Sequence, residues 1–225
     1  MEYNSGWYSI CICNNFEIPF IEEENLSETL NNDSIKYVFL RSFIGEDFER
    51  YLIIRKSWVL IDSYNRGTGL TRKKISILKK FTFDYFYNKK IIIFHSGIAK
   101  IESAIKYLNT TTLCNITILK DIDLFEFIKK LSSNEFNFVL LEGTLINYES
   151  EGGTIGNFHF KGITEKDKTK ILNQNKSYLS WIKIRIINEL KSFEFIFYSN
   201  GTFFQNNYNK YLFKLLTLYI NLRGT

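Results

Sequence analysis

The stretch KIIIFHSGIAKIESAIKYLNTTTLCNITILKDIDLFEFIKKLSSNEFNFVLL, residues 90–141, decides how the fold is read. Lys90 to Phe94 is an apolar run of strand length, and His95-Ser96-Gly97 turns the chain into an amphipathic helix. The helix carries its apolar stripe at Ile98, Ile101, Ala104-Ile105 and Leu108. Asn115 to Leu119 reads as the next strand. Asp121 or Asp123 then caps a helix with Leu124, Ile128 and Leu131 on one face, and Phe136 to Leu141 is a third strand. Strand, helix, strand, helix, strand is the order of a βαβαβ unit, and such crossovers favour a parallel sheet.

Antiparallel signals flank this unit. Trp7 to Cys13 alternates as a strand, and Asn14 to Ser34 reads as an acidic loop with room for one short helix. Lys36 to Arg41, Arg50 to Arg55 and Ser57 to Asp62 are rich in Val, Ile, Tyr and Trp, as in a meander ending at the turn Ser63 to Gly69. From Thr71 the period becomes helical, with Ile75, Leu78, Phe81 and Tyr85 on one face and Lys73, Ser76, Lys80 and Asp84 on the other. Thr154 to Lys161, Ser180 to Ile187, Phe193 to Tyr198 and Gly201 to Gln205 read as strands, with Ser199-Asn200-Gly201 a hairpin turn. Tyr208 to Leu222 is a largely apolar helix. The expected fold is mixed α/β: a central parallel βαβαβ unit flanked by antiparallel strands and closed by the C-terminal helix. Residues 1–34 form a strand and acidic arm, and residues 35–225 a single domain.

The chain has 225 residues, 45% of them hydrophobic and 24% charged, which excludes disordered, collagenous and small disulfide-held classes. No apolar run reaches the roughly 20 residues of a membrane span, and the N-terminus lacks the features of an export signal. With three cysteines, Cys11, Cys13 and Cys114, read as reduced and buried, the expectation is a cytoplasmic protein with no membrane partner. Only two alanines and one proline stand beside abundant Ile, Asn, Lys, Phe and Tyr, the residues of A/T-rich codons. Aromatic and basic abundance alone is therefore no argument for nucleic-acid binding. The distribution of charge is more informative: the net +5 is the remainder of −6 over residues 1–65, +8 over 66–106, −4 over 107–160 and +7 over 161–225.

Five clusters carry candidate chemistry. In Asn65 to Lys74, Gly67 and Gly69 free the backbone, Thr71 is placed to cap the following helix, and Arg66, Arg72, Lys73 and Lys74 surround its first turn. A helix N-terminus with exposed amides and nearby bases is a natural phosphate site, although the spacing of a Walker or dinucleotide motif is absent. Lys79 and Lys80 extend the basic block. His95 and Ser96 stand at a strand-to-helix turn, where open α/β sheets often place catalysis, although Ser96 also reads as a plain N-cap. Asp62, Asp121, Asp123 and Glu142 stand at apparent strand ends, and side by side they would gather Mg²⁺ or Mn²⁺. In Ser180 to Ile187, Trp181, Lys183 and Arg185 alternate away from Ile182, Ile184 and Ile186, an aromatic beside two bases on a sheet face. The glycine-rich run Glu151 to His159, followed by the charged segment Glu165 to Lys170, reads as a flap or a bulged edge strand.

The order of a meander, a helix and a parallel unit entered through a His-Ser-Gly turn resembles ribonuclease-H-like lobes, without their full set of four catalytic acids. That resemblance implies a metal-dependent nuclease or phosphodiesterase using Mg²⁺ or Mn²⁺, for which Asp62, His95, Asp121, Asp123 and Glu142 are the available groups. The preferred expectation is a non-catalytic nucleic-acid or phosphate-backbone binding protein without a cofactor. It would use Arg66, Gly67, Gly69, Thr71, Arg72, Lys73, Lys74, Lys79, Lys80, Trp181, Lys183 and Arg185. A protein-interaction subunit that docks through its charge blocks is the third.

Overall fold

The computed structural model describes residues 6–18, 20–21, 25–26, 36–46, 48–67, 69–134, 136–150, 152–162, 178–188, 191–205 and 212–220. They group into two compact units, Cys11–Thr117 and Met1–Ile10 with Ile118–Thr225. The division expected after residue 34, most of the acidic arm's second half and the segment Glu165 to Lys170 lie outside the described residues.

The Cys11–Thr117 unit takes the C-terminal end of β1 (Gly6–Cys13), then β2 (Tyr37–Ile44), β3 (Glu49–Asn65), β4 (Gly69–Phe86), β5 (Ile91–Phe94), the helix α1 (Ile98–Thr111) and β6 (Ile116–Ile118). Its strands follow the order β2-β3-β4-β5-β1, and β6 also pairs with β1. The pairings β2–β3, β3–β4 and β4–β5 are antiparallel. One sheet face is closed by α1, whose Ile101, Ala104, Ile105 and Leu108 are buried and whose Tyr107 ring stacks on Tyr37 with centroids 4.0 Å apart. The other face holds Val38, Leu40 and Ile54, covered by Ile21 and Leu26.

The second unit contains α2 (Leu124–Ser133), β7 (Phe138–Glu149), β8 (Ile155–Lys161), β9 (Tyr178–Asn188), β10 (Lys191–Tyr198), β11 (Thr202–Gln205), the helix α3 (Leu212–Ile220) and the start of β1. Its order is β1-β11-β10-β9-β7-β8, antiparallel at each pairing. One face is an aromatic core in which Phe127 of α2 and Tyr219 of α3 pack on Phe197, with centroids 4.9 and 5.0 Å away. The hairpin at Ser199-Asn200-Gly201 is confirmed, with Gly201 at φ +80. A Cβ there would stand 2.5 Å from the Leu119 carbonyl oxygen, so both the turn and the packing exclude a side chain.

Two expectations are corrected. There is no parallel βαβαβ unit; the protein is mostly antiparallel sheet. The strands and crossover helices of residues 90–141 do form, yet β5 lies between β4 and β1, β6 pairs with β1, and β7 lies between β9 and β8. Hydrogen bonds from Asn14 N to Asn115 O and from Leu119 N to Ile10 O, each 3.1 Å, set β6 antiparallel to β1. The N-terminal strand thus occupies the place that a parallel neighbour would take. β5 instead follows β4 through a single 3-10 turn at Tyr87–Lys89, a closure over far fewer residues than a helical crossover.

The second correction concerns residues 71–85, which form the strand β4 rather than a helix. β3 and β4 pair residue for residue from Glu49↔Tyr85 to Asn65↔Gly69 without a shift, and Gly69 has φ +76 where the turn demands it. The spacing of Ile75, Leu78 and Phe81 imitates a helical stripe, but Ile75 and Leu78 are exposed, so no buried face lies behind the pattern. Cross-strand pairing overrides local periodicity here. Thr71 accordingly caps nothing; its hydroxyl lies 2.9 Å from that of Ser63 across the pair. Nor is Ser96 a cap, because Gly97 occupies the N-cap of α1.

Candidate nucleic-acid interface

β2 accompanies β3 only as far as Tyr37↔Arg55, and β5 accompanies β4 only as far back as Phe83↔Phe94. From there residues 57–81 continue as a ribbon that, among the described residues, is two strands wide. At about 3.3 Å per residue it extends roughly 30 Å. Its alternation puts Trp58, Leu60, Asp62 and Tyr64 on one face with Leu70, Arg72, Lys74 and Ser76, their cross-strand partners. Val59, Ile61, Lys73, Ile75, Ile77 and Lys79 take the other face. Both faces are exposed: Leu60 is 62% and Tyr64 76% accessible on the first, Ile61 44% and Ile75 43% on the second.

Six bases and one acid stand on residues 57–81. Arg66, Arg72, Lys73, Lys74, Lys79 and Lys80 are all exposed, with Arg66 and Gly67 in the tip. The lone acid Asp62 pairs bidentately with Arg72, Nε to Oδ1 at 2.7 Å and Nη2 to Oδ2 at 3.3 Å, and this pairing raises the guanidinium's affinity for its proton. Lys74 Nζ lies 4.3 Å and Lys56 Nζ 4.8 Å from the Trp58 ring centroid. Of the expected anion-binding residues, the ribbon therefore carries Arg66 through Lys80 together, although on a strand pair rather than at a helix N-terminus.

Trp181, Lys183 and Arg185 belong to β9 in the other unit. Their alternation against the buried Ile182, Ile184 and Ile186 is as expected. Their surroundings are self-satisfied: Glu194 on β10 takes Arg185 at 2.5 Å and Lys183 at 2.9 Å, and these two bases hold its carboxyl below the usual range. Trp181 is packed between His159 and Tyr198.

The carboxylates considered for metal binding are individually engaged or apart. Asp62 holds Arg72, Glu142 lies 3.5 Å from Lys161, and Asp123 accepts hydrogen bonds from Phe125 N and Glu126 N as the cap of α2. Asp121 is exposed at φ +56. Among the described residues no group of three His, Cys, Asp or Glu side chains is arranged to hold a metal ion.

His95 has a partner that sequence reasoning missed. Its Nε2 lies 3.0 Å from Oδ2 of Asp84, a fully buried carboxylate that also takes Arg50 at 2.6 and 3.0 Å. Burial alone would raise the Asp84 pKa, but the hydrogen bonds from His95 and Arg50 outweigh it and leave the pKa lowered. Asp84 read as the polar face of a helix; only the strand register brings it beside Arg50.

A cleft of about 710 Å³ in the same unit is walled by Phe16, Tyr51 and Tyr85. Its polar groups answer one another, since Arg41 pairs with Glu49 at 3.7 Å and the Tyr51 hydroxyl donates to the same carboxylate. Burial and that carboxylate push the Tyr51 phenol well up.

Among the described residues no helix is long and apolar enough to cross a membrane. No known family model matches the sequence, and no curated protein matches it.

Proposed function

We propose that this protein binds nucleic acid through the β3–β4 ribbon, with its bases on phosphates and its tip in a groove. The observation that carries this reading is the ribbon itself: six exposed bases against one acid, on a two-stranded projection. The major groove of a duplex, about 12 Å wide, admits a two-stranded β-ribbon. Exposed Trp58, Tyr64 and Leu70 add flat and apolar surface for sugar and base edges. The bases of β9 are left out because Glu194 already occupies them.

The test is fluorescence anisotropy with a labelled 20-base-pair DNA duplex and a matching RNA at 50 and 200 mM salt. If all six bases reach phosphates, affinity falls roughly a thousandfold over that interval. The variant K73E/K74E/K79E/K80E weakens binding further and flattens the salt slope. Salt-insensitive binding, or none to either probe, overturns the reading.

A second reading is favoured by one observation: Val59, Ile61, Ile75 and Ile77 are also exposed, more apolar surface than phosphate contact requires. In that reading the ribbon docks a protein partner. Copurification with a stoichiometric protein and no nucleic acid, lost in Ile61→Lys/Ile75→Lys, would distinguish it.

A further inference from the structure

In the second unit α2 and α3 pack on the sheet face that holds the buried Phe197, Phe203 and Ile182. Strand alternation turns Tyr198, Phe204 and Trp181 to the other face. There the register sets residues in line: His159 of β8 opposes Thr144 of β7, Thr144 opposes Trp181 of β9, and Trp181 opposes Tyr198 of β10. In the adjoining line Phe204 of β11 opposes Trp7 of β1. The rings run on as one row, His159 to Trp181 to Tyr198 to Trp7 to Phe204, with centroids 5.6, 6.2, 5.6 and 5.1 Å apart. From β8 to β1 the row crosses the sheet over roughly 24 Å, at about 4.8 Å per strand. Trp7 is 44% accessible, His159 is exposed and the other three rings are half-buried. A/T-rich codons account for the number of aromatic residues, but not for their alignment across strands far apart in the chain.

We propose that this row is a stacking platform for single-stranded nucleic acid, holding roughly two or three unpaired bases by their faces. Rings in line on an open sheet face suit sequence-tolerant stacking, because every base has a flat π-face. The polar groups beside the rings are engaged with one another. Thr144 Oγ1 lies 3.2 Å from His159 Nδ1, Ser180 Oγ donates to the Thr144 carbonyl, and Glu194 holds Lys183 and Arg185. A sugar polymer needs such groups turned to its hydroxyls, whereas a base stacks without them. Along the row Lys161, Lys183 and Arg185 share Glu142 and Glu194, a balance whose sign favours an anionic chain. Each of these bases already has a carboxylate, so stacking rather than charge supplies the hold. The platform goes beyond the ribbon reading and uses none of its residues: a duplex keeps its bases stacked inside, and this row requires them unpaired.

The probes are labelled twelve-base oligothymidine and oligouridine, which do not pair with themselves, read by fluorescence anisotropy against the full chain. The background is K73Q/K74Q/K79Q/K80Q, which removes most of the ribbon's charge and should leave single-strand binding in place. Between 50 and 200 mM salt the affinity should fall by less than about tenfold, as for one or two phosphate contacts, against the roughly thousandfold of the ribbon. W7A/W181A should lower it by about tenfold or more, and W7F/W181F should retain most of it. Trp7→Ala alone changes an exposed ring, so part of the loss should appear there with the fold retained by circular dichroism. With Trp58→Phe added, Trp7 and Trp181 are the tryptophans that remain, and either strand should quench their fluorescence. Binding of only one strand supports the platform and assigns it to DNA or to RNA. No binding of either strand, an unchanged affinity in W7A/W181A, absent quenching or a thousandfold salt effect each overturns the platform, as does tighter binding of oligoproline or of a soluble glucan. Duplex binding by the unaltered chain without single-strand binding overturns the platform alone, and single-strand binding without duplex binding overturns the ribbon reading alone.

Discussion

Lys74 reaches across the β3–β4 ribbon to place its ammonium 4.3 Å from the ring centroid of Trp58, on the strand that it does not belong to. The two residues are not directly opposed: Trp58 faces Ser76, and Lys74 faces Leu60. A diagonal contact of this kind exists only because the strands keep one register over seventeen paired positions. It joins the ribbon's charge to its aromatic surface.

Trp58 is therefore expected to matter by its ring. Trp58→Ala should lower affinity for the labelled nucleic acid by about tenfold, in line with the ~1–3 kcal/mol found for one base stacked on an aromatic ring. Trp58→Phe should retain most of it. Anisotropy on the two variants checks the order.

Removing the ribbon's only acid should strengthen its hold on phosphate. Asp62→Asn frees Arg72, and duplex affinity measured by anisotropy at 50 mM salt should rise a few-fold, with the gain shrinking at 200 mM.

Asp84 should dominate the acid limb of stability. Its pKa is lowered in the folded protein, so its contribution is present in full above the unfolded value near 3.9 and is lost as pH falls through the lower folded value. Asp84→Asn should cost about 3–5 kcal/mol at pH 7, because it takes the buried carboxylate away from both Arg50 and His95. Urea melts between pH 2 and 7 should show that the variant lacks the wild type's loss below about pH 4.

The turn at Gly201 should tolerate no side chain. Gly201→Ala combines φ +80 with a Cβ at 2.5 Å from Leu119 O and should destabilise by about 2 kcal/mol or more in the same melts.

Cys11 and Cys13 should be silent toward thiol reagents. Burial pushes both thiols up to about 12, and neither forms a disulfide. Ellman's reagent at pH 8 should label them only after denaturation.

Most strands and all three described helices follow from the amino-acid pattern, because a buried face leaves its period in the sequence. Ile101, Ala104, Ile105 and Leu108 mark α1; Ile182, Ile184 and Ile186 mark β9; and Ser199-Asn200-Gly201 states its own turn. Asp123 likewise identifies itself as a cap. Strand neighbours left no such trace. Nothing near residues 90–118 reports that β1, some eighty residues upstream, pairs with both β5 and β6. The second strand of the ribbon was illegible for the opposite reason. Neither of its faces is buried, so residues 71–80 carry no burial period, and a chance spacing of Ile75, Leu78 and Phe81 imitated a helix. The amino acids alone determined where charge concentrates, above all the +8 of residues 66–106, and where the chain turns. Only the tertiary structure decided which strands meet and which faces stay bare. It set Arg50 and His95 on Asp84, and it aligned His159, Trp181 and Tyr198 across one sheet face, because pairing partners are chosen across the whole chain.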